Sequence, residues 1–123
     1  MHGVALARRA VRESLVLLKN ERRVLPLART GRVLVVGTGM QGRAALHHLA
    51  SSPGVTTITA ADRQVDEARR FAEERGYASR VAWVALDARN RTALGALFAN
   101  RPDVAIDLLP VPFIGAVARA AVE

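Results

Sequence analysis

The chain has 123 residues, half of them hydrophobic, which suffices for one compact domain with a modest core plus an appendage. It contains no cysteine, which excludes a disulfide framework, a thiolate metal site and a cysteine nucleophile, and its longest apolar runs fall far short of the roughly 18 residues that span a bilayer. The formal charge of +7 is uneven: the first 31 residues hold seven basic and two acidic side chains and the remainder eleven and nine, so the body of the chain has no basic stripe and no specific nucleic-acid partner is expected.

Val4, Ala7, Val11, Leu15 and Leu18 recur at three- and four-residue steps with Arg8, Arg9, Arg12 and Lys19 largely between them, which predicts an amphipathic helix. It should stop near Asn20, and Pro26 forbids a regular helix through residues 24–27. The arginine-rich start has the flavour of an organellar transit peptide, but Glu13 and Glu21 run against that reading, and a cytoplasmic location is expected.

From Arg32 the pattern becomes short apolar runs alternating with helical stretches, the signature of a parallel sheet with crossover helices. Residues 33–36 are continuously apolar, as a strand covered on both faces must be. A helix follows over about residues 41–51 with Ala45, Leu46 and Leu49 facing the sheet, until Ser52-Pro53-Gly54 breaks it. Residues 55–61 read as a second strand, and Val65, Ala68, Phe71 and Ala72 mark the inner face of a second helix that Gly76 ends in a left-handed cap. Residues 81–86 form a third strand. Asn90 then caps a helix presenting Leu94, Leu97 and Phe98, Asn100-Arg101-Pro102-Asp103 turns into a fourth strand over 104–109, and a last helix begins near Phe113. The expected fold is α/β: a partial Rossmann fold with a four-stranded parallel sheet in the order 3-2-1-4, flanking helices and the N-terminal amphipathic helix.

Gly37-Thr38-Gly39-Met40-Gln41-Gly42 fits G-x-G-x-x-G and lies between a buried strand and a helix start. In that setting the first glycine makes the tight turn, the second lets a pyrophosphate approach the backbone, and the third lets helix and strand pack closely. Exposed amides at the helix N-terminus favour the anion. Asp62, twenty residues beyond Gly42 at the end of the second strand, is placed to accept hydrogen bonds from an adenosine ribose. The whole constellation marks Gly37, Thr38, Gly39, Met40, Gln41, Gly42 and Asp62 as a dinucleotide site, the competing reading being a structural turn beside a solvated acid.

Arg63 either stacks on adenine or pairs with the 2′-phosphate of NADP, or is an exposed arginine at a helix start. Asp87, after the third strand, either lies beside the adenine or caps its own turn. Leu109-Pro110-Val111-Pro112-Phe113 either lines the nicotinamide side of the cleft or is a proline-stiffened turn. Asp107 sits in an apolar strand and needs a hydrogen-bond partner or a place at the strand end. His47 and His48 are adjacent on one helix and cannot form an i, i+4 metal pair, Trp83 and Tyr77 are too isolated for a base-stacking platform, and no Ser-His-Asp arrangement is legible.

The run Arg32-Val33-Leu34-Val35-Val36-Gly37-Thr38-Gly39-Met40-Gln41-Gly42-Arg43-Ala44-Ala45-Leu46-His47-His48-Leu49-Ala50 resembles the opening of saccharopine dehydrogenase-like proteins. Ala61-Asp62-Arg63, Ala85-Leu86-Asp87-Ala88 and Asp107-Leu108-Leu109-Pro110 follow in that family's order, so the likeness covers residues 32–123. It implies an NAD(P)-dependent oxidoreductase, with NAD or NADP as cofactor and Gly37, Gly39, Gly42 and Asp62 at the family's cofactor positions. Family members continue into the rest of the nucleotide domain and a substrate or catalytic domain, so the resemblance also implies a truncated module that is not catalytically complete alone and whose catalytic residues are unknown.

Residues 7–27, with Ala10-Val11-Arg12-Glu13-Ser14-Leu15-Val16-Leu17-Leu18-Lys19-Asn20-Glu21 followed by Leu25-Pro26-Leu27, are similar instead to the segment entering the second domain of β-glucosidases of glycoside hydrolase family three. Glycoside hydrolysis needs two positioned carboxylates, and none is identifiable here, so residues 1–31 read as a packing helix and linker. The expected partners are a dinucleotide and either a second copy of the chain or a missing oxidoreductase half, with no membrane. Three functions stand side by side: a dinucleotide-binding module of an oxidoreductase, a Rossmann-fold interaction or regulatory domain without catalysis, and a non-catalytic β-glucosidase fragment.

Overall fold

The computed structural model describes residues 2–14 and 31–123. In chain order its elements are α1 (His2–Ser14), β1 (Gly31–Val36), α2 (Met40–Ala50), β2 (Val55–Asp62), α3 (Asp66–Glu74), β3 (Val81–Ala85), α4 (Arg91–Ala99), β4 (Val104–Asp107) and α5 (Ile114–Val122). The four strands form one sheet in the order β3-β2-β1-β4, every pair parallel. This is the order expected of the first half of a doubly wound fold. The expected helix stop near Asn20 and the break at Pro26 lie outside the described residues.

β1 explains the arrangement. It pairs with β2 on one side and β4 on the other, so both of its faces need cover, and a continuous apolar run supplies it. Val33 and Val35 join Leu46, Ile58, Ala60, Ala72, Tyr77 and Val81 in one buried cluster on the α2 and α3 side. Leu34 and Val36 point the other way, into a second cluster with Ala61, Leu86, Leu94, Leu97 and Val117 beneath α4 and α5. The alternation of side chains along the strand thus feeds two cores from one segment.

The helix ends follow local chemistry. The Asn90 side chain accepts a hydrogen bond of 3.0 Å from the Ala93 amide and caps α4. At the end of α3, Gly76 takes φ +78°, its amide donates to the Glu73 carbonyl, and the Tyr77 amide reaches back to the Ala72 carbonyl. Those two bonds are the Schellman pattern, and they carry Tyr77 into the core. After β4, Pro110 precedes a short 3₁₀ turn over Val111–Phe113, which contains Pro112 and leads into α5.

α1 departs from the packing role expected of it. Residues 3–14 are exposed, with Val4 46%, Leu6 68% and Val11 59% accessible, and among the described residues none of these belongs to either core cluster; Leu15 and Leu18 of the expected apolar face lie outside the described residues. Amphipathic spacing specifies that a face is apolar; it does not specify that the rest of the fold has left a groove for it. Deleting residues 1–14 should therefore shift the thermal unfolding midpoint by no more than about 3 °C, as expected when little apolar area returns to water. A drop of about 10 °C in calorimetry, equivalent to losing well over 1 kcal/mol, would show that α1 contributes to the folded core.

Candidate functional site at the strand C-termini

The carboxyl ends of the four strands are stitched into a rim by backbone hydrogen bonds beyond the strands proper. The Gly37 amide donates to the Ala61 carbonyl at 2.8 Å, the Leu108 amide to the Val36 carbonyl at 2.8 Å, and the Leu86 amide to the Asp62 carbonyl at 2.7 Å. In open parallel sheets this end is where ligands bind. The hollow of about 380 Å³ lined by Arg32, Thr57, Thr59, Leu97, Asn100 and Pro102 lies at the opposite, amino end of the strands.

The three motif glycines meet three different constraints. Gly37 has φ +105°, and a Cβ on it would sit 2.7 Å from the Leu108 carbonyl carbon, so both conformation and space require glycine. A Cβ on Gly42 would run into the Gly37 carbonyl oxygen, which is how the first turn of α2 comes to lie directly against the end of β1. Gly39 is exposed, and a Cβ there would meet nothing within 4 Å. Among the described residues no atom requires glycine at that position, and the space beside it is open.

Gly39 also serves as the N-cap of α2 without any side-chain cap, and the first helical bond runs from the Arg43 amide to the Gly39 carbonyl. The amides of Met40, Gln41 and Gly42 are therefore the unbonded donors of the helix start, joined to the positive end of its dipole. The Met40 side chain is 88% exposed and Gln41 is exposed, whereas Gly42 is buried against the end of β1.

Thr38 and Asp62 close the turn from the other side. Thr38 is 3% exposed and donates to Asp62 Oδ2 twice, from its amide at 2.7 Å and from Oγ1 at 3.1 Å. The Arg63 amide donates to Oδ1 at 2.6 Å. An ionised carboxylate offers about four acceptor positions, so three bonds leave one open. The carboxylate expected to face a ribose is thus also the latch between the glycine turn and β2. Its partner 24 residues away becomes visible only once β1 and β2 are paired.

Asp87 and Arg89 form a second polar group on the same rim. Asp87 Oδ1 accepts from the Arg89 amide at 2.9 Å, and the Arg89 guanidinium lies against the carboxylate, with NH2 2.8 Å from Oδ2 and Nε 3.1 Å from Oδ1. The Arg89 side-chain hydrogen bonds, then its amide, and in smaller part the charge of Arg63 hold the Asp87 carboxyl down at about 2. Asp87 caps its own turn, as one of the two readings required, and it sits within the field of Arg63. Nothing in the sequence pattern singles out Arg89 beyond its two-residue offset from Asp87.

Asp107 ends β4 and accepts from the Leu109 amide at 3.1 Å, which meets both conditions set for a polar group in an apolar strand. His47 stacks on Tyr77 with ring centroids 5.3 Å apart, and the Trp83 Nε1 donates to the Ala78 carbonyl, so these rings are engaged within the fold. Burial pushes the Tyr77 hydroxyl up from its ordinary range, against the opposing pull of Arg75 and Arg43.

The model for the saccharopine dehydrogenase NADP binding domain matches residues 33–123. Among solved structures, apo histidine-tagged saccharopine dehydrogenase (L-Glu forming) from Saccharomyces cerevisiae is similar, with a TM-score of 0.61 and 27% identity over 75% of this chain. That alignment spans 19% of the yeast chain, so the chain corresponds to about a fifth of the length of this relative. No curated protein sequence matches. These matches give no support to the hydrolase resemblance of residues 7–27.

The glycine geometry yields a paired expectation. Gly42→Ala forces α2 off the end of β1 and should lower the unfolding midpoint by several degrees, on the scale of overpacking costs of about 1–3 kcal/mol. Gly39→Ala should fold with little change. Equal thermal stability of the two variants would contradict the division of roles drawn here.

Proposed function

This chain belongs to the saccharopine dehydrogenase NADP binding domain family, and from that premise we propose that its glycine turn holds the pyrophosphate of NADP or NAD for an oxidoreductase. Family membership implies an NAD(P) cofactor and makes the chain a dinucleotide-binding module; the residue roles are our reading. The observation that carries it is the uncapped start of α2 behind an unobstructed Gly39, at the carboxyl end of the central strand.

In this reading the amides of Met40, Gln41 and Gly42 receive the pyrophosphate oxygens, while Gly37 and Thr38 shape the turn. The open acceptor position of Asp62 takes one ribose hydroxyl, and Arg63, exposed beside it, takes a phosphate on that ribose. Asp87, bound to Arg89, borders the adenine side. When bound, the nicotinamide supplies hydride chemistry; the residues of this chain bind and orient the cofactor, and none is assigned a catalytic role. The module works with an oxidoreductase half beyond β4, whose outer edge has no strand partner among the described residues. Hydride transfer by the chain alone is not expected, and the resemblance of residues 7–27 to a glycosidase adds no activity.

A regulatory domain that keeps the fold without using a cofactor is the second reading, and calorimetry separates the two. The wild-type protein should bind NADH or NADPH, and Gly39→Val, which puts a branched side chain where the phosphate must approach, should abolish binding of both while the fold survives. Asp62→Ala should weaken both cofactors. If the folded wild type binds neither, or a folded Gly39→Val protein binds both unchanged, the cofactor reading is wrong.

A further inference from the structure

We propose that Arg89 is a cofactor-selecting residue: with Arg63 it forms a two-guanidinium seat for a phosphate monoester on the adenosine ribose, so that the site takes NADP in preference to NAD. The proposal rests on the nucleotide reading above and extends it to a residue the sequence motif does not include.

The placement comes from the sheet. The Leu86 amide bonds the Asp62 carbonyl at 2.7 Å, which sets the turn over residues 87–89 beside the strand end that carries Asp62 and Arg63. Asp87 is bonded by the Arg89 fork, and the charge of Arg63, on the neighbouring strand end, adds a small part to holding its carboxyl down. Arg63 and Arg89 are both exposed. With Asp87 the two arginines carry a surplus of one positive charge on adjacent strand ends, where a planar guanidinium can present paired donors to tetrahedral phosphate oxygens.

Two objections are answered by the same contacts. An acid at the end of β2 ordinarily repels a phosphate on the ribose, but the Asp62 carboxylate here already accepts from Thr38 twice and from the Arg63 amide once, so both of its oxygens are engaged by donors of the chain. Arg89 already has Asp87 as a partner, but its side chain is 66% exposed, and an exposed ion pair holds its geometry weakly. A dianionic phosphate can therefore share or replace the carboxylate by rotation of one surface side chain.

The test titrates NADPH, NADH and 2′,5′-ADP into wild type, Arg89→Ala and Arg89→Lys by calorimetry at low salt, with thermal unfolding as a check on folding. Wild type should bind NADPH more tightly than NADH. Arg89→Ala should lose about tenfold in affinity for NADPH and 2′,5′-ADP, the scale of one charged hydrogen-bonding group, while NADH stays within about twofold. Arg89→Lys should recover part of the loss, because it restores charge without the fork. Unchanged NADPH affinity in Arg89→Ala, equal losses for NADPH and NADH, or a wild type that favours NADH would each overturn the role of Arg89 and leave the nucleotide site standing. A wild type that binds no dinucleotide would overturn the proposed function itself, and this inference with it.

Discussion

Most of this molecule depends on how closely α2 is allowed to approach the end of β1. Gly42 lies against the Gly37 carbonyl, and Gly37 in turn lies against the backbone of Leu108, so three segments meet with no side chain between them. That contact fixes the start of α2 at the carboxyl end of the central strand and draws the segment after β4 against the turn. Any side chain at either position must push one of the segments away, and with it the helix whose Leu46 is fully buried in the core.

Charge is distributed around this contact in a consistent way. Positive potential comes from helix amides and from Arg63 and Arg89 on the rim, and the two carboxylates nearby, Asp62 and Asp87, are each already bonded to donors of the chain itself. An anion arriving at the rim therefore meets donors in front and, behind them, acids whose oxygens are already hydrogen-bonded within the chain. Residues for a hydride acceptor or an acid-base group are not part of that pattern, in keeping with a module that covers about a fifth of its yeast relative.

The strand order and the glycine turn were legible because each rests on a local signal: a continuous apolar run, alternating helix periods, and glycines at fixed offsets. Asn90 and Gly76 were legible for the same reason, each acting on atoms within a few residues. The Thr38 to Asp62 bonds were not, since they join residues 24 apart whose meeting depends on the register of β1 against β2. Arg89 is not legible in the sequence, because an exposed arginine carries no pattern of its own and gains meaning only from the strand end beside it. α1 illustrates the converse: the period predicts a helix, observed over His2–Ser14, but period alone does not say whether a neighbour among the described residues receives the apolar face.

The account turns on which backbone amides meet the ligand. Amide NMR spectra of the labelled protein, recorded while NADPH is added, test this most directly. The largest shifts should fall on Gly39, Met40, Gln41 and Gly42, with smaller ones at Arg63 and Arg89. Shifts confined to the amino end of the strands, around Arg32, Thr57 and Asn100, with the amides of residues 39–42 unmoved, would contradict the central claim.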